Sequence, residues 1–261
     1  MDKIKSENYL FFGDSKIGRR NENQDQYLMM QHKNNPDLAL VAVFDGVGGY
    51  IDGKAASKLG REILRDFFNS NDVFTKESVI NAIANMNFLI HNNTSGYTTL
   101  SMAIINKDKA IVANVGDSRT YSINKGLNLV TEDDSEVYKY YKQGLINLDD
   151  IRFVSSNNII TGFLGDRYLE NIQVKEIDLK TGLLLTTDGV HDVLSMKRMF
   201  ELIKNNREDK IVSSIIYSAL TEENAVTKEA FYRILLKAKL QCEEYTTPGK
   251  DNTTAVLLLK R

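Results

Sequence analysis

Five aspartates in this chain stand where a strand is expected to begin, end or turn. Asp25 precedes Tyr27-Leu28-Met29-Met30, Asp45 follows Val41-Ala42-Val43-Phe44, Asp117 lies between two β-branched segments, Asp188 follows the apolar stretch 183–187, and Asp251 precedes the stretch 253–259. In antiparallel strands the end of one lies beside the start of its neighbour, so Asp45 and Asp188 can meet Asp25 and Asp251 on one edge. Clustered carboxylates repel unless cations neutralise them. Oxygen-only donors favour hard ions, Mg²⁺ or Mn²⁺, over zinc, and His32, His91 and His191 show no ligand spacing. A lone aspartate near a turn ordinarily caps a helix or turns the chain. The set resists that reading. Asp45 runs into Gly46-Val47-Gly48-Gly49, whose glycines let backbone carbonyls approach an ion, and Asp188-Gly189 repeats the arrangement after its own strand.

The elements that must position these residues follow from periodicity. Strands are expected at 9–12, 27–31 and 38–44. Ala55, Leu59, Ile63 and Phe67, then Val79, Ile83, Met86 and Ile90, recur at helical spacing and predict helices over 53–69 and 76–93. Short β-branched segments at 98–106, 110–115, 119–123 and 127–130, joined by tight turns, read as an antiparallel meander. Residues 133–143 read as helix. The polar, Asn-rich stretch 144–166 has little periodicity, and its length suggests a functional flap. Strands at 172–177 and 183–187, helices at 195–205, 208–220 and 226–244, and a last strand at 253–259 complete the chain. This order is not a βαβ alternation. It predicts an α+β fold, an α-β-β-α sandwich of two mainly antiparallel sheets flanked by helices, as a single domain over 1–261.

Composition bounds the rest. At 261 residues, 42% apolar and 26% charged, the chain can bury a sizeable core and lies outside the disordered and membrane classes. A formal net charge of -2 gives no basic footprint for nucleic acid or anionic lipid. The longest apolar runs, 38–44 and 255–259, are far shorter than a bilayer span, and Met1-Asp2-Lys3-Ile4-Lys5 carries no apolar signal core. A cytoplasmic monomer without nucleic-acid or membrane partners is expected. The single cysteine, Cys242, makes no internal disulfide and is read as a helix residue.

Arg20-Asn21-Glu22-Asn23-Gln24-Asp25, Asp45-Gly46-Val47-Gly48-Gly49, Gly116-Asp117-Ser118-Arg119, Asp188-Gly189-Val190-His191-Asp192 and Asp251-Asn252-Thr253-Thr254 resemble, in order, the motifs of the metal-dependent (type 2C) serine/threonine protein phosphatases. Gly96-Tyr97-Thr98-Thr99 and Thr131-Glu132-Asp133-Asp134-Ser135 add to the match, and the length resembles the single-domain bacterial branch. The resemblance implies two tightly bound Mn²⁺ or Mg²⁺ ions. Asp45 would bridge them, Asp25 and the Gly46 carbonyl would complete one, and Asp188 and Asp251 would hold the other. Asp117, with Asp188, would bind a third, weaker ion. Arg20 would grip the substrate phosphate with its planar fork, and Gln24, Asp192 and Asn252 would support the ligands from behind. A hydroxide bridging the ions would then attack phosphorus in line, with no covalent enzyme intermediate. The implied substrates are phosphoserine and phosphothreonine on proteins, in opposition to a cognate Ser/Thr kinase.

The departures are specific. Val47 stands where many eukaryotic relatives place a histidine that could protonate the leaving alkoxide. Gln24 replaces the more usual Glu, Asp134 a frequent His, and His191 fills an ordinarily apolar position, which makes it a packing residue. A cysteine-dependent phosphatase would need an Arg six residues after Cys242, where Pro248 sits. Gly48-Gly49-Tyr50-Ile51-Asp52-Gly53-Lys54-Ala55 nearly spells a phosphate-binding loop, but Ala55 lacks the Mg²⁺-binding hydroxyl and Asp45 and Asp52 set negative charge beside the phosphates. Gly46-x-Gly48 fails as a dinucleotide fingerprint because Ile51 takes the third glycine position. A catalytically dead phosphatase fold used as a binding module is opposed by the presence of all five aspartates and Arg20.

Overall fold

Seven consecutive apolar residues, Leu38–Phe44, form a strand buried along its whole length. Its side chains alternate between two cores, as the period of two requires. Ala39, Val41 and Val43 face a second sheet, while Leu38, Leu40, Ala42 and Phe44 face helices. The computed structural model describes residues 1–47, 52–169 and 171–261. Gly48 and Gly49 of the glycine run, and with Tyr50 and Ile51 the first half of the near-phosphate-loop sequence, lie outside the described residues.

Eleven strands are named in chain order: β1 (Asp2–Lys5), β2 (Tyr9–Lys16), β3 (Gln26–Gln31), β4 (Leu38–Phe44), β5 (Leu100–Asn106), β6 (Lys109–Val115), β7 (Arg119–Ile123), β8 (Leu127–Leu129), β9 (Gln173–Asp178), β10 (Gly182–Thr186) and β11 (Thr253–Lys260). They build two sheets, β1-β2-β11-β10-β7-β8 and β3-β4-β5-β6-β9, and every strand pair is antiparallel. Tyr9, Phe11, Leu183, Leu185, Val256 and Leu258 meet Val41 and Val43 between the sheets. The helices α1 (Gly53–Asn69) and α2 (Lys76–Asn93) cover one outer face through Leu64, Phe68, Ile83 and Ile90. The other face is covered by α5 (Met196–Asn205) and α6 (Glu208–Thr221) through Met199, Leu202, Ile211 and Ile215. This is the expected α-β-β-α layering. Fully burying a residue such as Phe44 or Phe68 contributes about 1.5–3 kcal/mol. Among the described residues no helix is long and apolar enough to cross a membrane.

Four expectations need correction. The meander over 98–130 is two hairpins in different sheets: β5 and β6 pair in one, β7 and β8 in the other. The chain changes sheet at Gly116-Asp117-Ser118, where Gly116 takes φ +98°, a conformation that suits glycine. A Cβ there would also meet the Thr99 side chain at 2.7 Å. Residues 133–143 are helical only over α3 (Tyr138–Lys142), because Asp133 is drawn into a buried pair with Arg119 (Nη2–Oδ2 2.6 Å). The helix over 226–244 runs only from α7 (Lys228–Tyr232) through a π-helical turn, Arg233–Lys237. Lys239 takes φ 56°, and the chain beyond it pairs with the 144–166 region, Glu243 N donating to Phe153 O (2.7 Å) and Ser155 N to Gln241 O (3.1 Å). Tertiary pairing here outweighs helical propensity. Cys242 is therefore bridged to Val154 in extended chain rather than helical.

Two elements carried no sequence signal. β1 is a polar edge strand, and α4 (Asp188–His191) is one turn immediately after β10. The 144–166 stretch is not wholly irregular either. Leu148–Phe153 form a 3₁₀ helix with a capping box between Asn147 and Asp150, packed with Tyr138, Ile146 and Ile234 in a separate cluster.

Candidate active site

Ladder register fixes where the aspartates fall. Gln26 pairs with Phe44, which sets Asp25 beside Asp45 at the β3-β4 edge. Thr186 pairs with both Ala255 and Arg119, which sets Asp188, Asp251 and Asp117 at the matching edge of the other sheet. Arg20, Asp45, Asp117, Asp188 and Asp251 line one small pocket, with Val47, Thr99, Asn158 and Ile160 completing it. Asp25 lies beneath, fully buried.

Threonines at strand ends hold the carboxylates. Thr187 Oγ1 and Thr254 Oγ1 both donate to Asp25 Oδ2, at 2.9 and 2.6 Å. Asp45 N donates to Thr99 Oγ1 (3.0 Å), and Thr98 Oγ1 donates to Asp45 O (2.9 Å). Gly46 crosses so close to α1 that a Cβ would meet Gly53 O at 2.6 Å and Gln24 Cβ at 2.8 Å. Among the described residues no donor engages its carbonyl.

The carboxylates are in electrostatic conflict. Burial pushes Asp25 up to about 7 against the hydrogen bonds from Thr254 and Thr187. Burial, then the charges of Asp25 and Asp188, hold Asp45 well above the usual carboxylate range. Asp188 is raised well above it too, by burial and then Asp251 and Asp117. Burial and the neighbouring Asp133 push Asp117 to about 8. Asp25 Oδ1 and Asp188 Oδ1 are buried with no hydrogen-bond partner. Buried, mutually repelling oxygens with free lone pairs are a donor set suited to hard divalent cations. Among the described residues no three such groups already converge as a ready-made cage. Arg20 has taken one of these carboxylates: Nε and Nη2 donate to Asp251 Oδ1 and Oδ2 at 2.9 and 2.5 Å. That bidentate pair is the largest cause of the raised Arg20 pKa.

The remaining sequence-predicted residues surround this group. Asn252 Oδ1 accepts from Gln24 N (2.8 Å), while its Nδ2 donates to Ile17 O and Glu22 O, stitching the segment that carries Arg20 and Asp25 to the start of β11. Asp192, raised to about 6 by burial, accepts from Asn157 Nδ2 at 2.7 Å. His191 is buried against Thr186 Oγ1 (2.9 Å), and burial holds its pKa well below normal, so it is a neutral packing residue. Asp134 accepts from Gly116 N (2.9 Å) and so secures the sheet-crossing turn. Lys54 pairs with Glu22 (2.7 Å) and is thereby engaged away from any phosphate-loop role. Sequence reasoning missed Thr187 as the second hydroxyl on Asp25, and missed Asn157 and Asn158, which come from a segment without periodicity.

The family model for protein phosphatase 2C matches residues 12–224. The chain belongs to the protein phosphatase 2C family. It is a protein-serine/threonine phosphatase by class. Serine/threonine phosphatase stp of Listeria monocytogenes is 29% identical over 252 residues, covering 89% of this chain and 94% of its own. Stp1 of Staphylococcus aureus superposes with a TM-score of 0.79 at 23% identity, over 95% of this chain and 94% of that one. The catalytic domain of the phosphatase PstP superposes with a TM-score of 0.75 at 20% identity, over 97% and 98%. These structural likenesses establish the fold.

Proposed function

We propose that this 2C phosphatase removes phosphate from phosphoserine and phosphothreonine on proteins, using two Mn²⁺ or Mg²⁺ ions and a third, weaker one, and so opposes a Ser/Thr protein kinase. The observation that carries the reading is that Asp45, Asp117, Asp188 and Asp251 line one pocket together with Arg20, with Asp25 buried beside Asp45 at the strand ends. The similar PstP catalytic domain was solved in complex with two manganese ions. We read the chain as one catalytic domain, monomeric and cytoplasmic.

Asp25, Asp45, the Gly46 carbonyl, Asp188 and Asp251 would hold the two tight ions, and Asp117 with Asp188 the third. Bound there, the ions would supply an acidified water and positive charge against the phosphoryl oxygens. Arg20 would exchange its bidentate grip on Asp251 for the same grip on phosphate, since carboxylate and phosphate each offer two acceptor oxygens to its planar fork. Thr187, Thr254, Thr98 and Thr99 keep the carboxylates in register with the strand ends. Asn252 holds the Arg20 segment in reach, and Gln24 backs Gly46 without adding charge. Thr99 lines the pocket but is engaged by Asp45 N and Ser118 Oγ (2.8 Å), so it is no free nucleophile. Hydrolysis of phosphoserine, phosphothreonine and phosphotyrosine peptides with Mn²⁺, before and after exhaustive chelation, tests the reading. Full activity after chelation sinks it.

A further inference from the structure

The pocket opens into a larger cleft of about 280 Å³ that shares Arg20, Asp188 and Asp251 with it. The far wall comes from two segments outside the sheets, 152–158 and 243–250. We propose that this cleft is a subsite for an anionic side chain, a carboxylate or a second phosphate, that flanks the phosphorylated residue of the substrate polypeptide, with Lys250 as its contact. The inference rests on the phosphatase reading and adds a substrate preference to it.

Lys250 is exposed on the cleft lip, in the turn closed by its N–H on Thr247 O (3.4 Å), and directly precedes Asp251. Among the described residues no carboxylate lies within ion-pair distance of it. It acts on Asp192 only at longer range. Behind it, Arg152 lines the same cleft with its guanidinium largely covered. Arg152 Nε and Nη1 are buried without a hydrogen-bond partner, its nearest carboxylate is Asp149 at 4.0 Å, and its other neighbour is the Phe153 ring at 4.8 Å. Asp150 and Asp192 act on it only at longer range and no hydrogen bond discharges Nε or Nη1, so part of the field of Arg152 reaches the cleft. Arg152 thus works from the wall while Lys250 reaches the ligand.

The opposing charges are accounted for. Asp188 and Asp251 belong to the candidate ion site, where divalent cations would neutralise them. Asp192 is bonded to Asn157, and Glu243 is exposed at the rim. With Asp188 and Asp251 so neutralised, Lys250 and Arg152 stand against the buried Asp192 and the rim Glu243, Lys250 is the cation placed at the lip, and the polar groups of Ser155, Asn158 and Thr247 can pair with a peptide backbone laid along the cleft.

The test uses the full chain with Mn²⁺ and three phosphothreonine peptides identical except for flanking residues: glutamates, phosphoserines or lysines. An aryl phosphate without flanks is measured in parallel. Wild type should show kcat/KM about fivefold higher for both anionic flanks than for lysine, mostly through KM, the scale of a partly exposed charge pair. Lys250→Glu should invert that order and Lys250→Ala should abolish it. Equal kcat/KM for the three peptides in wild type, or an order unchanged in Lys250→Glu, overturns the subsite. A preference for one anionic flank alone restricts the subsite to that group and supports it. No turnover of any substrate, the aryl phosphate included, overturns the phosphatase reading and the subsite with it.

Discussion

The edge that carries the aspartates and the wall that faces it are built by different physics. At the edge, each carboxylate is placed by a hydrogen-bonded ladder, and its neighbours are hydroxyls on the adjoining strands, as with Thr187 and Thr254 on Asp25. The wall has no ladder behind it. Its 3₁₀ helix is tied to the π-helical turn by Arg233, which donates from Nε and Nη2 to Asp150 at 2.6 and 2.9 Å, and by a small apolar cluster of its own. The edge crowds like charges on a ladder, whereas the wall packs in a cluster of its own. On the function proposed above, chemistry that needs fixed geometry falls to the sheets and selectivity to a wall that packs apart from them.

Changes at the edge should therefore abolish turnover without unfolding the protein. On the proposed function, Asp45→Asn or Asp188→Asn should lower kcat by ~1,000-fold or more, because each would remove a charged ligand from the two metal ions that would acidify the attacking water. Near-normal turnover with Mn²⁺ would mean that the site lies elsewhere. Arg20→Ala should cost ~2–4 kcal/mol of transition-state stabilisation, seen in kcat and KM together. By freeing Asp251 it should also tighten Mn²⁺ binding measured calorimetrically. Unchanged kcat/KM would remove Arg20 from phosphate recognition.

The electrostatic strain itself has a pH signature. Asp25 titrates near 7 when folded and near ~3.9 when unfolded. The folded state holds its proton more tightly, so this contribution to stability is fully present below about pH 4 and is lost as pH rises to about 7. Asp45 and Asp188, raised by the same burial, act in the same direction. Chelated protein should melt progressively earlier across that window, and the rise in Tm on adding Mn²⁺ should grow with pH. A chelated Tm that climbs from pH 5 to pH 8 would contradict the strained-edge picture.

The wall should respond in the opposite way. Arg233→Ala leaves Asp150, 4% exposed, without its partner and should cost ~1–3 kcal/mol locally, less than a fully buried pair because Arg233 is itself part-exposed. Hydrogen exchange should quicken over 145–160 while the sheets stay protected, and turnover of an aryl phosphate should change far less than turnover of peptides. Equal loss on both substrates would erase the distinction between edge and wall.

Residue order alone pointed to the strands that matter and the aspartates at their ends, because short apolar runs such as 38–44 and 183–185, bounded by polar and turn residues, are too short for a helix and read as buried strands. The antiparallel rule then brought Asp25 to Asp45 and Asp188 to Asp251. What the order of residues could not decide is how strands divide between sheets: 110–115 and 119–123 look alike, and only packing against opposite outer faces sends them into different layers around Asp117. Nor could it show that 238–247 forsakes a helix. Periodicity reports one face of a local element, whereas that segment satisfies its backbone on Phe153 and Val154, about ninety residues earlier. Arg20 sitting on Asp251 is likewise tertiary, since two residues separated by 231 positions meet only because β2 and β11 are neighbours in the sheet.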